Sequence, residues 1–157
     1  EGQVKRAQLE QLERVADIFP WVATVDAFQH WIYTHPDHKQ EERGKKWMEI
    51  SKRFELELDW EDINRDIKKY AWHKQLHIFE VPFYYIEYAI AQLGALQLYL
   101  VYKKNPNKAV DQYLKALSLG GSRGPRDLFK AADIKFDFSL DTLTKLMETI
   151  EEEIEEL

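Results

Sequence analysis

The chain has 157 residues, 45% of them hydrophobic, which suits a single domain able to build a core and excludes intrinsic disorder. Its 22 Lys and Arg against 28 Asp and Glu leave a net charge of −6, which argues against a nucleic acid or an anionic membrane as partner. Cys is absent, so disulfides and thiolate metal sites are excluded and a reducing cytoplasm is the expected location.

Residues Gln3 to Asp17 place Val4, Ala7, Leu9, Leu12, Val15 and Ala16 among charges at amphipathic helical spacing, and Pro20 is expected to interrupt that helix. A second helix is predicted from Pro20 to Tyr33, mostly buried through Trp21, Val22, Val25, Phe28, Trp31 and Ile32, until Thr34-His35-Pro36-Asp37 breaks it. A third runs over Glu41–Leu58, with Trp47, Ile50, Phe54 and Leu58 inward. Asp59 can cap a short element at Trp60–Ile63. A fourth spans Asn64–His77, with Ile67, Tyr70, Ala71 and Trp72 inward.

The stretch that organises the chain follows. From Pro82 to Tyr102 it holds one formal charge, Glu87, and it reads as one long helix starting at the proline. Tyr84, Tyr88, Ala91, Ala95 and Tyr99 share one face, with Tyr85 and Gln92 on its flank, while Ile86, Ile90 and Leu93 lie opposite. Its length approaches the roughly 20 residues that cross a bilayer. Glu87 and Gln92 within the span, and tyrosines gathered at one end only, argue against a membrane. The tyrosine face is open to two readings: aromatic packing with buried hydroxyl partners, or the hydroxyl-lined wall of a cleft.

Beyond a turn at Asn105-Pro106-Asn107, a helix is predicted over Lys108–Leu119 and ends in Gly120-Gly121-Ser122. Arg123-Gly124-Pro125 starts a short helix to Ala132. Ile134 to Phe138 is extended. Ser139 caps a last helix, with Thr142 at its third position, and that helix should fray in its Glu-rich end. No strand-like alternation reaches useful length and no repeat is visible, so the fold class is all-α: one helical unit over 1–157.

Several residue groups could carry chemistry. His73 and His77 stand four apart, the spacing of a helical zinc pair, but Lys74 stands where a peptidase motif needs Glu and no third ligand is near. One surface and one structural histidine is the favoured account, against a self-contained metal hydrolase. His30, His35 and His38 gather around a proline turn and read as a loop of mixed exposure. Glu55, Glu57, Asp59, Glu61 and Asp62 read as a solvated run. The Gly120–Gly124 stretch lacks the Lys and the preceding strand of a phosphate loop.

Phe19-Pro20-Trp21-Val22-Ala23, Asp26 to Tyr33, Gln75 to Glu80, Pro82 to Tyr88, Ala116 to Ser122 and Ile134 to Ser139 together resemble the C-terminal part of oligoendopeptidase F, a zinc metallopeptidase related to thimet oligopeptidase. The resemblance spans essentially the whole chain. It implies a nearly all-helical enzyme with a deep channel that cleaves short peptides. Zinc in that family is held by a His-Glu-x-x-His helix and a downstream Glu, and neither lies in this chain. The resemblance therefore implies zinc in a full-length parent, none bound here, and a missing N-terminal part as partner; Glu1 in place of Met agrees with a piece of something larger.

By the same resemblance, His77 would hydrogen-bond the substrate backbone. Tyr85 and Tyr88, with Tyr84 as a further candidate, would donate to the oxyanion of peptide hydrolysis. Asp133 stands where relatives carry Gly in a turn that favours a left-handed residue, Ala89 replaces Gly, and His73-Lys74 replaces a more Arg-like pair. The leading expectation is the substrate-side portion of a zinc metalloendopeptidase, inactive alone. The alternative is a non-catalytic helical module that binds peptide or associates with itself through the tyrosine face.

Overall fold

The computed structural model describes residues 2–55 and 65–157. The predicted element at Trp60–Ile63, the cap at Asp59 and the end of the third helix at Leu58 lie outside them. Among the described residues every regular element is helical: α1 (Gly2–Thr34), α2 (Gln40–Phe54), α3 (Arg65–Lys69), a 3₁₀ turn (Ala71–Lys74), α4 (His77–Glu80), α5 (Ile86–Lys104), α6 (Pro106–Leu117), a 3₁₀ turn (Gly120–Ser122), α7 (Pro125–Ala131) and α8 (Leu140–Glu155). The all-α expectation holds.

The chain divides into two compact units, one of residues 14–89 and one of residues 1–13 with 90–157. The first is built on aromatic residues. Val25, Phe28, Trp47, Ile50, Trp72 and Ile78 form its buried cluster, with Trp21, Trp31, Phe54 and Tyr85 packed against it. Phe28 meets Trp47 edge-on at 5.2 Å, an arrangement that adds to area burial because the ring edge is positive and the face negative, and lies tilted against Trp72 at 5.3 Å. In the second unit Leu93, Leu96, Ala109, Ala132, Leu146 and Ile150 are buried.

Pro20 does not interrupt the first helix. α1 runs through it for 33 residues. The proline forgoes one backbone hydrogen bond, but Val15, Val22, Val25 and Phe28 bury one continuous helical face on either side of it. Several such burials, each about 1.5–3 kcal/mol, outweigh one lost bond. The predicted fourth helix is also corrected. Its backbone splits into α3, the 3₁₀ turn and α4, leaving Ile67 and Tyr70 exposed and only Trp72 fully buried.

The organising helix starts at Ile86 and not at Pro82, because Phe83 adopts φ 58°, left-handed backbone that a helix cannot contain. It ends at Lys104. Along it Tyr88, Ala91 and Ala95 are exposed, Tyr99 is half-buried and Leu93 is buried opposite, while Tyr84, expected on the same face, precedes the helix and is exposed. Asn105 caps α6 by accepting from the Lys108 N–H at 3.1 Å, with Pro106 in the first turn. Ser139 caps α8 through the Thr142 N–H, and α8 keeps its helical form to Glu155. None of the described helices is long and apolar enough to cross a membrane.

Candidate functional site

Within the unit of residues 14–89, four side chains singled out in the sequence come together: His77, Tyr84, Tyr85 and Tyr88. His77 opens α4. Tyr84 and Tyr85 occupy the turn before α5, and Tyr88 lies in the first turn of α5. The His77 ring stacks on Tyr84 at 5.9 Å and meets Tyr85 and Tyr88 edge-on at 5.0 and 5.6 Å. Tyr88 in turn lies 5.1 Å from Tyr85 and 5.9 Å from Tyr84, so both tyrosine pairs share one patch. Tyr84 and Tyr88 are exposed, and Tyr85 is half-buried.

The approach to this patch is strained. Phe83, a bulky residue at φ 58°, would relax in most surroundings. It is held by ring contacts to His30 at 4.8 Å and Tyr33 at 5.1 Å. Those contacts fix the turn that delivers Tyr84 and Tyr85.

The polarity of the site follows from its hydrogen bonds. His77 Nε2 lies 3.1 Å from the Tyr88 hydroxyl, while His77 Nδ1 is buried without a partner. A buried N–H with no acceptor is rarer and costlier than an unfilled lone pair. The imidazole proton is therefore assigned to Nε2, which donates to the Tyr88 oxygen. Tyr85 likewise accepts, at 3.0 Å, from the indole Nε1–H of Trp21. In the sequence Trp21 reads as a buried helix residue only. Nothing in local spacing could have paired it with a tyrosine 64 positions away.

The remaining candidates separate. His73 and His77 do not share a helix face, because the chain leaves the 3₁₀ turn at Lys74 and restarts at His77. His73 is exposed and packs on Trp72 and Tyr70. His35 stacks on Trp31, with Nδ1 2.9 Å from the Trp31 carbonyl; His38 contacts the His35 carbonyl; and His30 lies 3.5 Å from Asp26. Of the acidic run, Glu55 pairs with Lys68 at 2.6 Å, while Glu57, Asp59, Glu61 and Asp62 lie outside the described residues. Among the described residues no three His, Cys, Asp or Glu converge as metal ligands would.

The model of peptidase family M3 matches residues 2–148. A crystal structure described as an oligoendopeptidase F is similar over 97% of this chain at 29% identity and a TM-score of 0.89. PZ peptidase A, solved with an inhibitor, is similar over 96% at 26% identity and a TM-score of 0.87. The chain spans 27% of the length of each. No curated protein sequence matches it.

Proposed function

The chain belongs to peptidase family M3, and from that premise we propose that it is the substrate-side portion of a zinc metalloendopeptidase acting on short peptides. Tyr84 would contact the peptide backbone, His77 would hold the Tyr88 phenol from behind, and Tyr85 and Tyr88 would donate hydrogen bonds to the carbonyl oxygen as negative charge develops on it. The observation that carries this reading is the pair of back-donated phenols. Each oxygen receives a hydrogen bond from behind, Tyr85 from Trp21 and Tyr88 from His77. Among the described residues no protein group accepts either hydroxyl proton, so each is left for an outside acceptor. A neutral donor already aimed at developing charge needs no reorganisation, and losing one costs about 10²–10³-fold in rate.

The family is generally zinc-dependent. The residues here do not fit a zinc site: the sequence holds no His-Glu-x-x-His, and the described residues hold no ligand cluster. The ligands of such an enzyme would lie outside residues 1–157. The chain by itself should leave a quenched fluorescent peptide intact with zinc added, while short peptides shift the magnetic resonance signals of His77, Tyr85 and Tyr88. Metal-dependent turnover by the purified chain would overturn the division of labour, and unshifted signals would overturn the peptide site.

Exposed Leu76, Phe79 and Val81 beside His77 favour a second reading, in which this surface serves self-association. Sedimentation of a strict monomer at all concentrations would remove it.

A further inference from the structure

We propose that Trp21 is a positioning residue for the Tyr85 hydroxyl, one that fixes which way its proton points. The inference rests on the peptide-site reading above and adds a residue that reading does not require. An indole N–H can donate but never accept. At 3.0 Å from the Tyr85 oxygen it must therefore occupy a phenol lone pair. A phenolic O–H prefers the plane of its ring, which leaves two positions for the proton. The indole takes one side, so the Tyr85 proton takes the other. Among the described residues no protein acceptor meets that proton, and the Tyr85 ring packs against those of His77 and the exposed Tyr88.

The indole is itself held in place. Trp47 packs edge-on against it at 5.6 Å, and the Lys74 ammonium lies 4.5 Å from its ring centre. Tyr85 thus presents a donor whose direction is set before any substrate arrives. Such an arrangement discriminates for a carbonyl or carboxylate oxygen and against a ligand group that offers a hydrogen to the same spot, because the Tyr85 proton already points there and the indole holds it from turning away.

The test uses the 157-residue chain and a blocked alanine tetrapeptide, followed by magnetic resonance titration. Trp21 is replaced by benzothienylalanine, which keeps the ring's shape and puts sulfur where the N–H stood. That exchange should weaken peptide binding about fivefold when Tyr85 is present and leave it unchanged in a Tyr85→Phe background. The Trp21 indole proton should also exchange with solvent about fivefold faster in Tyr85→Phe. Trp21→Phe serves as a second variant and should show the same dependence on Tyr85. If Tyr85→Phe weakens peptide binding but the sulfur isostere does not, the positioning role is overturned and the site survives. If the isostere acts equally with and without Tyr85, the role is again overturned. If Tyr85→Phe leaves peptide binding unchanged, the site itself is wrong and the inference falls with it.

Discussion

His77 and Tyr88, eleven residues apart, meet through a single hydrogen bond of 3.1 Å across the turn between α4 and α5. Neither side chain is deeply buried, so the bond should stabilise by about 1 kcal/mol. A double-mutant cycle with His77→Phe and Tyr88→Phe checks it by urea denaturation. Once either partner is gone, removing the other should cost little more, and the coupling should come to about 1 kcal/mol. Purely additive losses would show that the two groups do not interact, and the assignment of the imidazole proton would lose its basis.

The parts of the fold legible in the sequence were those set within a few residues. Ser139 caps its helix where predicted, because a cap is a contact between positions three apart; the predicted turn at Asn105-Pro106-Asn107 is instead the cap and first turn of α6, which starts two residues earlier than expected. Asp133 shows the same locality. It takes φ 54° after α7, with the Ile134 N–H donating to the Phe129 carbonyl and the Asp133 N–H to the Lys130 carbonyl, which closes the helix end in a paired motif. Pro20 misled because its local penalty is offset by burial against residues far along the chain. Phe83 misled for the same reason: its backbone is set by His30 and Tyr33, some fifty positions earlier. The tyrosines of the candidate site stood out through family resemblance. Trp21 did not, since an indole inside a run of apolar residues reads as core until its partner is seen.

Phe83 offers a direct check on stored strain. Phe83→Ala loses the ring contacts to His30 and Tyr33 and keeps the left-handed backbone. Phe83→Gly loses the same contacts and removes the backbone penalty of about 1–2 kcal/mol. The glycine variant should therefore be the more stable of the two by about 1 kcal/mol, although glycine ordinarily loses to alanine through its unfolded-state entropy. Thermal unfolding of both variants decides it. An alanine variant as stable as the glycine variant would mean that the turn relaxes once the ring is gone.

Two helical glycines should respond to alanine differently. A Cβ on Gly94 would sit 2.9 Å from the tip of the Phe129 ring, and that ring is held by Phe136 at 5.1 Å. Overpacking there should cost about 1–3 kcal/mol against a helix-propensity gain of about 1. The atoms nearest a Cβ on Gly44 all belong to the Lys69 side chain, Cε at 2.5 Å and Cγ at 2.7 Å. That flexible stem can swing aside, giving up its contact with the Tyr70 ring. Gly94→Ala should lower the unfolding free energy, and Gly44→Ala should change it by less than about 1 kcal/mol. Equal losses would indicate that Lys69 is as firmly held as Phe129.

Acid should act on the unit of residues 1–13 and 90–157 through Glu153. Its carboxylate accepts from Lys103 Nζ and from the Tyr99 hydroxyl, each at 2.9 Å. The bond from Lys103, and then that from Tyr99, holds the Glu153 carboxyl below its ordinary value. A carboxyl lowered in the folded state contributes stability that is complete above the ordinary carboxylate range and is lost as pH falls through the lowered value. Lys103 is raised, chiefly by the same hydrogen bond, and Tyr99 is raised first by burial and then by its bond to Glu153. Their contributions are complete at neutral pH and disappear only as pH climbs through their raised values. Urea denaturation at about pH 7 and about pH 3 should therefore show Glu153→Gln less stable than the unaltered chain at the first and nearly equal to it at the second. Lys103→Met should blunt the acid sensitivity in the same way, because Glu153 then loses the partner that lowers it most. A Glu153→Gln variant that keeps the full acid sensitivity would place the titrating group elsewhere, with Asp137 next in line: its carboxyl is held low by the Thr142 hydroxyl and the Ser139 backbone N–H at the start of α8.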